Sequence, residues 1–406
     1  MNIGFVGLGK LGLPVALAVE DKGHKVFGFD ISPSVEEILT TKKLPYREEG
    51  AQELLEATQI NFCDLDRVVT ESEIIFVPVQ TPHDPDYEGI TRLPDDRVDF
   101  DYQYLKSAMK DLSQAVERQD QKKVVIIIST VLPGTVEKEI LPILCDNVQL
   151  CYNPFFIAMG TTITDFLFPE FILFGVDDTE AADKAEEFYK TINSALFFKT
   201  SIRNAELTKV AYNTFIGMKI VFANTIMEIC HKTGGQSDEV SKALGLATKR
   251  LVSDAYMRGG MGDGGGCHPR DNIALSWLSR ELDLSYDWFE SVMLARERQT
   301  EWLADLMESY SLPKVILGKA FKPETNLTTG SPSILLKNIL LERGHTVQMY
   351  DPYLDEKTPD FGPSVFLIGT MHQQFKSFEF PRGSIVLDPW RFIPEIDGVE
   401  VIPVGG

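Results

Sequence analysis

The sequence predicts an α/β protein with a parallel-sheet unit at each end of the chain and a long central helix with a small helical domain between them. Three observations carry this. An apolar strand at residues 2–7 runs into Gly-Leu-Gly-Lys-Leu-Gly at 7–12 and then into a helical pattern. Residues 201–232 hold no proline and a single glycine, Gly217. They read as one helix about 45 Å long at about 1.5 Å per residue. After Pro313, strands and helices alternate afresh.

The totals bound what the chain can do. Its 406 residues, 44% hydrophobic and 24% charged, have room for two or three domains with proper cores. A net charge of −21 argues against nucleic acid or an anionic membrane surface as partner, and it requires a local positive site for any anionic ligand. The five cysteines, at 63, 145, 151, 230 and 267, form no CxxC pair. That pattern fits a reduced protein without a metal site. The chain enters a strand at once, and no apolar run reaches the roughly 18 residues of a membrane helix. The expected home is the cytoplasm.

Taken in order, the first unit carries a complete dinucleotide fingerprint. Gly7, Gly9 and Gly12 frame a tight turn through Leu11, a helix follows at 13–20, and the next strand, 24–29, ends at Asp30. Glycines permit close pyrophosphate approach, the helix start faces the phosphates, and the acid meets ribose hydroxyls. This is an N-terminal Rossmann domain. Ile31-Ser32-Pro33 supplies no arginine for a 2′-phosphate, so NAD is expected rather than NADP. Strand 73–79 leads to Thr81 and strand 123–128 to Thr130. Both threonines sit where ligands meet parallel strands, and both also suit turns and helix caps. Strands follow at 150–154 and 170–175. Residues 84–97, after His83, read as an acidic surface insertion.

The central helix places Lys209 and Asn213 four residues apart on one face, among Ala205, Tyr212, Ile216 and Ile220. Its length suits a link between domains or a dimer seam. Helical patterns return at 239–246, 271–282 and 287–310. Residues 259–271 pack six glycines around Cys267. Asp271 reads as the N-cap of the helix that follows. A cysteine just before a helix start and beside Arg270 favours thiolate. Read alone, the stretch is equally a flexible loop with an incidental cysteine.

The C-terminal unit is Rossmann-like without its own GxGxxG. It has strands at 314–318, 347–350, 365–369 and 384–388 and a helix at 333–342. Lys319 and Lys322 sit at the end of its first strand, and Asp351-Pro352 ends its second. The expected domains are 1–200, 201–310 and 311–406.

This order of parts resembles the UDP-glucose/GDP-mannose dehydrogenase family across essentially the whole chain. Its most specific pieces are Gly264-Gly265-Gly266-Cys267-His268-Pro269-Arg270-Asp271 and Ala320-Phe321-Lys322-Pro323. The resemblance implies a homodimeric enzyme that oxidises C6 of a nucleotide-sugar, UDP-glucose above all, from alcohol to acid with two NAD. It implies Cys267 as the nucleophile, passing through a thiohemiacetal and a thioester. Lys209 steadies the developing oxyanion with Asn213 beside it, and Asp271 with Thr130 orders the catalytic water or lysine. Gly7, Gly9, Leu11, Gly12, Asp30, Thr81, Thr130 and Arg270 are implied at the cofactor. Phe156, Lys209, Asn213, Arg250, Tyr256, Gly264, Gly265, Phe321 and Lys322 are implied at the substrate.

The chain also departs from the family. Where the family has Asn/Ser-Pro-Glu-Phe-Leu-x-Glu-Gly, both glutamates are replaced, by Phe155 and Met159. An apolar pair cannot act as the general base for thioester hydrolysis. Asp263 stands where an aromatic is common and Arg270 where lysine is common. The acidic pair and arginine expected after Pro323 are absent. Three other readings therefore stay open: oxidation that stops at the aldehyde or uses an unusual sugar, a β-hydroxyacid dehydrogenase, and an inactive paralogue that binds NAD or the nucleotide-sugar.

Overall fold

The computed structural model describes residues 1–82, 98–119, 121–176, 179–253, 259–265 and 268–405. At residues 217, 220, 221, 224, 231, 268, 270, 271 and 274 it describes the backbone alone. The insertion expected at 84–97 lies outside the described residues. The chain divides into two compact units, Met1–Gly217 and Met218–Gly406.

The first unit is built on an eight-stranded sheet: β1 (Asn2–Val6), β2 (Lys25–Phe29), β3 (Asn61–Phe62), β4 (Ile74–Val77), β5 (Lys123–Ile127), β6 (Val148–Tyr152), β7 (Phe171–Gly175) and β8 (Leu196–Thr200). Their order is β3-β2-β1-β4-β5-β6-β7-β8. Pairing is parallel except between β6 and β7. Strands β4 and β5 are buried throughout and read as unbroken apolar runs, as strands covered on both faces must. Helix α1 (Gly12–Asp21) is buried along most of its length against one face. The short helices α2 (Pro33–Thr41), α3 (Ala51–Ala57) and α4 (Leu65–Glu71) follow. Helix α5 (Gln103–Gln119) buries Leu105, Met109, Leu112 and Val116, a stripe at helical spacing. Helices α6 (Thr162–Leu167) and α7 (Thr179–Lys190) complete the wrapping. The strand order reverses between β1 and β4, and ligands of such sheets bind outside the carboxyl ends at that point.

Helix α8 (Ile202–Thr233) runs unbroken for 32 residues, within one residue of the expected span. The second unit holds α9 (Ser237–Gly245), α10 (His268–Glu281) and α11 (Trp288–Glu308). Helix α10 corrects one expectation. It begins at His268, so Asp271 lies in its first turns and is not its N-cap. Pro269 explains the shift, because a proline near a helix start loses no intrahelical bond and presets φ. The C-terminal sheet comprises β9 (Lys314–Leu317), β10 (Val347–Tyr350), β11 (Val365–Ile368), β12 (Ile385–Asp388) and β13 (Glu400–Pro403), with α12 (Pro332–Glu342) after β9. It is wholly parallel in the order β10-β9-β11-β12-β13.

Candidate active site

The glycine turn after β1 has the shape a dinucleotide needs. Gly7 adopts φ +108 and its N–H donates to Phe29 O at 2.8 Å. A Cβ on Gly12 would lie 2.3 Å from Gly7 O, whereas one on Gly9 would meet nothing within 4 Å. Gly12 thus lets the helix close on the turn, and Gly9 leaves the outer face open. Leu11 takes the N-cap position of α1 with no side-chain cap; Leu13 N donates to Gly9 O at 3.0 Å and Pro14 carries no N–H, so of these first three helical residues Gly12 is the one whose N–H can meet an anion. Asp30 accepts from Leu8 N at 2.7 Å and from Ser32 N at 2.8 Å. It stays half-exposed, with lone pairs left for ribose hydroxyls. These residues fit NAD. Thr81, after β4, donates through Oγ1 to Thr130 O, after β5, at 2.8 Å. The two predicted threonines therefore meet at the carboxyl ends of neighbouring strands.

Lys209 lies in a cleft of about 340 Å³ lined also by Phe156, Glu170, Tyr212 and Asn213. Its side chain is buried, its Nζ lies 3.4 Å from Asn213 Oδ1, and it sits 5.2 Å over the Phe156 ring. Among the described residues no carboxylate pairs with it, and burial pushes its pKa below the ordinary lysine value. Phe156 is fixed between Phe171 and Tyr212, each ring 4.7 Å away. One turn earlier on α8, the buried carboxylate of Glu206 accepts from Gly134 N at 2.5 Å and Val136 N at 2.8 Å. Burial raises its pKa against those two N–H bonds. This contact ties the lysine helix to the turn that follows Thr130. Sequence reasoning missed both Glu206 and Glu170. A larger cavity of about 540 Å³, lined by Glu20, His24 and Lys25, contains none of the expected site residues.

The departures take physical form. Phe155 is buried in the core with its ring 5.4 Å from Phe166, while Met159 is exposed. Successive side chains of this extended segment point to opposite sides, so Phe156 faces the cleft and Phe155 does not. Asn153 is structural: it donates to Leu173 O at 2.9 Å and accepts from Tyr189 OH.

In the second unit the glycine run packs flush against the loop after β9. Gly265 N donates to Thr329 O at 3.0 Å. A Cβ on Gly264 would lie 2.9 Å from Phe321 Cβ, and one on Gly330, at φ +64, would lie 2.5 Å from Gly265 O. The predicted Gly264, Gly265 and Phe321 are thus in contact. Lys322 is exposed and lies 5.5 Å over the Phe321 ring. Lys319, at the end of the same strand, is paired with Asp355 at 2.5 Å. Arg250 sits on an exposed turn after α9. Cys267 and Tyr256 lie outside the described residues, and Arg270 and Asp271 are placed by backbone alone, in α10.

A second acid repeats the Asp30 arrangement. Gly318 N donates to Tyr350 O at 2.7 Å, and Asp351 accepts from Lys319 N at 2.6 Å and Ala320 N at 2.9 Å. Here the acid is fully buried and closed over by His372, whose Nδ1 accepts from Glu324 N at 3.1 Å and whose Nε2 lies 3.2 Å from Asp351. Burial opposes ionisation, yet the His372 bond and the backbone N–H groups hold the Asp351 pKa down to about 2. This acid anchors its loop and has no face left for a ribose.

Comparison with known proteins gives three consecutive matches to the UDP-glucose/GDP-mannose dehydrogenase family: its NAD binding domain over residues 1–193, its central domain over 203–297 and its UDP binding domain over 315–395. The β-hydroxyacid dehydrogenase alternative does not call for the last of these. GDP-mannose 6-dehydrogenase of Pseudomonas aeruginosa is 28% identical over 365 residues, covering 86% of this chain and 81% of that protein. UDP-glucose 6-dehydrogenase AglM of Haloferax volcanii is 27% identical over 439 residues, covering 98% and 99%. The crystal structure of a ternary complex of GDP-mannose dehydrogenase from Pseudomonas aeruginosa matches with a TM-score of 0.87 at 25% identity, over 99% of each chain. No helix among the described residues is long and apolar enough to cross a membrane. The chain belongs to the UDP-glucose/GDP-mannose dehydrogenase family, whose members are NAD-dependent nucleotide-sugar 6-dehydrogenases.

Proposed function

We propose that this protein oxidises the C6 hydroxyl of a nucleotide-diphosphate hexose to the carboxylate, with Cys267 as covalent nucleophile. The observation that carries the reading is the cleft around Lys209. A buried lysine with no carboxylate partner among the described residues, beside Asn213 and an aromatic wall, is suited to donate to oxygen as negative charge grows there. NAD, when bound, accepts one hydride in each of the two oxidations. C6 first loses a hydride and its hydroxyl proton to become the aldehyde. The Cys267 thiolate adds to that carbon, loss of a second hydride leaves the thioester, and water releases the thiol and the uronate. With Phe155 in the core, the candidates to activate that water are Asp271, by family resemblance, and Glu170 and Asp165, which line the cleft.

UDP-glucose is the substrate that the family resemblance puts first. GDP-mannose is a second reading, favoured by the TM-score of 0.87 to a GDP-mannose dehydrogenase. Homodimerisation belongs to the same reading, supported by exposed Met218, Met227, Ile273 and Trp277 on α8 and α10. So does a cytoplasmic location. The test is NADH absorbance with excess NAD and each sugar, on the wild type and on Cys267→Ser. Turnover with one sugar that vanishes in Cys267→Ser supports the reading. Undiminished turnover in that variant overturns it.

A further inference from the structure

We infer that Arg296 is a positioning residue that locks the cysteine-bearing loop onto the loop after Lys322; its catalytic consequence rests on the reading of Cys267 as nucleophile. Arg296 lies on α11 with its side chain 11% exposed. Its Nε lies 2.7 Å from the Asp263 carboxylate and donates to Asp263 O at 3.2 Å. Its Nη2 donates to Asp263 O at 3.1 Å and to Gly330 O at 3.0 Å. One planar guanidinium thus binds a carboxylate and two carbonyls from separate segments, a pattern a lysine's point charge cannot reproduce.

Both segments need such a clamp. Residues 259–266 carry six glycines before the cysteine besides Met261 and Asp263, and have few side chains of their own to fix them. Gly262 brings the loop close to the Arg296 stem, since a Cβ there would lie 3.3 Å from Arg296 Cγ. Asp263, the residue that replaces the usual aromatic, supplies the charged half of the clamp. Removing Arg296 leaves that carboxylate and two carbonyls without their donor, and Asp263 lies four residues before Cys267 in the chain.

The test combines steady-state kinetics with amide hydrogen exchange on Arg296→Gln, Asp263→Asn, the double variant and Arg296→Lys. Arg296→Gln is expected to lower kcat by about 10–100-fold, the scale of a misplaced reacting group, while NADH binding, read by fluorescence, changes less than about 2-fold. Exchange at 259–265 and 328–331 is expected to quicken. Asp263→Asn slows the wild type but adds nothing to Arg296→Gln, and Arg296→Lys restores only part of kcat. Multiplying effects in the double variant, or unchanged kcat and exchange in Arg296→Gln, overturn the inference. If Arg296→Gln does not fold, Arg296→Lys with Asp263→Asn completes the same cycle. The two readings fail separately. Activity in Cys267→Ser with quickened exchange in Arg296→Gln sinks the nucleophile and keeps the clamp. An inactive Cys267→Ser with unchanged exchange in Arg296→Gln sinks the clamp alone.

Discussion

Phe155 packs its ring 5.4 Å from that of Phe166, inside the core of the first unit and away from the Lys209 cleft. Position 155 is where the resemblance puts a glutamate, and in this chain that position is buried. Phe155→Glu is therefore expected to destabilise the protein and not to speed thioester hydrolysis. A carboxylate buried without a partner costs roughly 3–5 kcal/mol, or protonates to avoid it. Urea denaturation and the rate of uronate release check this together. A stable Phe155→Glu with faster product release contradicts it.

Lys209 gives a pH signature. Burial lowers its pKa, so the folded protein holds the ammonium proton less tightly than the unfolded chain. In the window between the folded value and the ordinary lysine value, near 10.4, stability rises with pH from this group. If the ammonium is needed for turnover, kcat falls on the alkaline side with an apparent pKa below that ordinary value. Lys209→Arg should keep a charge that does not titrate, lose this limb and run more slowly throughout. A limb unchanged in Lys209→Arg assigns it to another group.

Asp351 predicts a slope of the same sign in acid. Its carboxyl is held at about 2 in the folded protein, against an ordinary value near 4 in the unfolded chain. The stability it contributes is present above about pH 4 and fades as the pH falls toward 2. Asp351→Asn removes the charged acceptor from several buried bonds and is expected to cost roughly 2–4 kcal/mol at neutral pH. It should also flatten the acid limb of the urea midpoint. An unchanged midpoint shows that the buried network does not hold this loop.

Much of the first unit was legible because its signals are local. Gly7, Gly9, Gly12 and Asp30 fall within one strand–helix–strand unit, and the 32-residue α8 contains no breaker. Lys209 and Asn213 were found because helical spacing puts them together. The two-residue β3 is too short to leave a pattern, and edge strand β8, Leu-Phe-Phe-Lys-Thr, lacks alternation. Pro269 disguised the start of α10. Glu206 and Arg296 act through backbone groups distant in sequence, which no local pattern reveals. Asp351 had a readable signal: like Asp30, it follows the second strand of its unit.

Gly330 tests the contact between the two loops of the second unit. With φ +64 and Gly265 O 2.5 Å from its would-be Cβ, it has no room for a methyl group. Gly330→Ala is expected to cost about 1–3 kcal/mol and to lower kcat with little change in NADH affinity. Thermal melting and single-turnover NADH formation check it. Wild-type values for both show that the loops part without consequence.

The most direct test of the account is NADH formed per nucleotide-sugar consumed, with excess NAD and mass spectrometry of product and protein. The account predicts two NADH and free uronate, with the product bound through Cys267 in a single turnover before release. One NADH with free aldehyde, or no NADH from UDP-glucose or GDP-mannose, contradicts it.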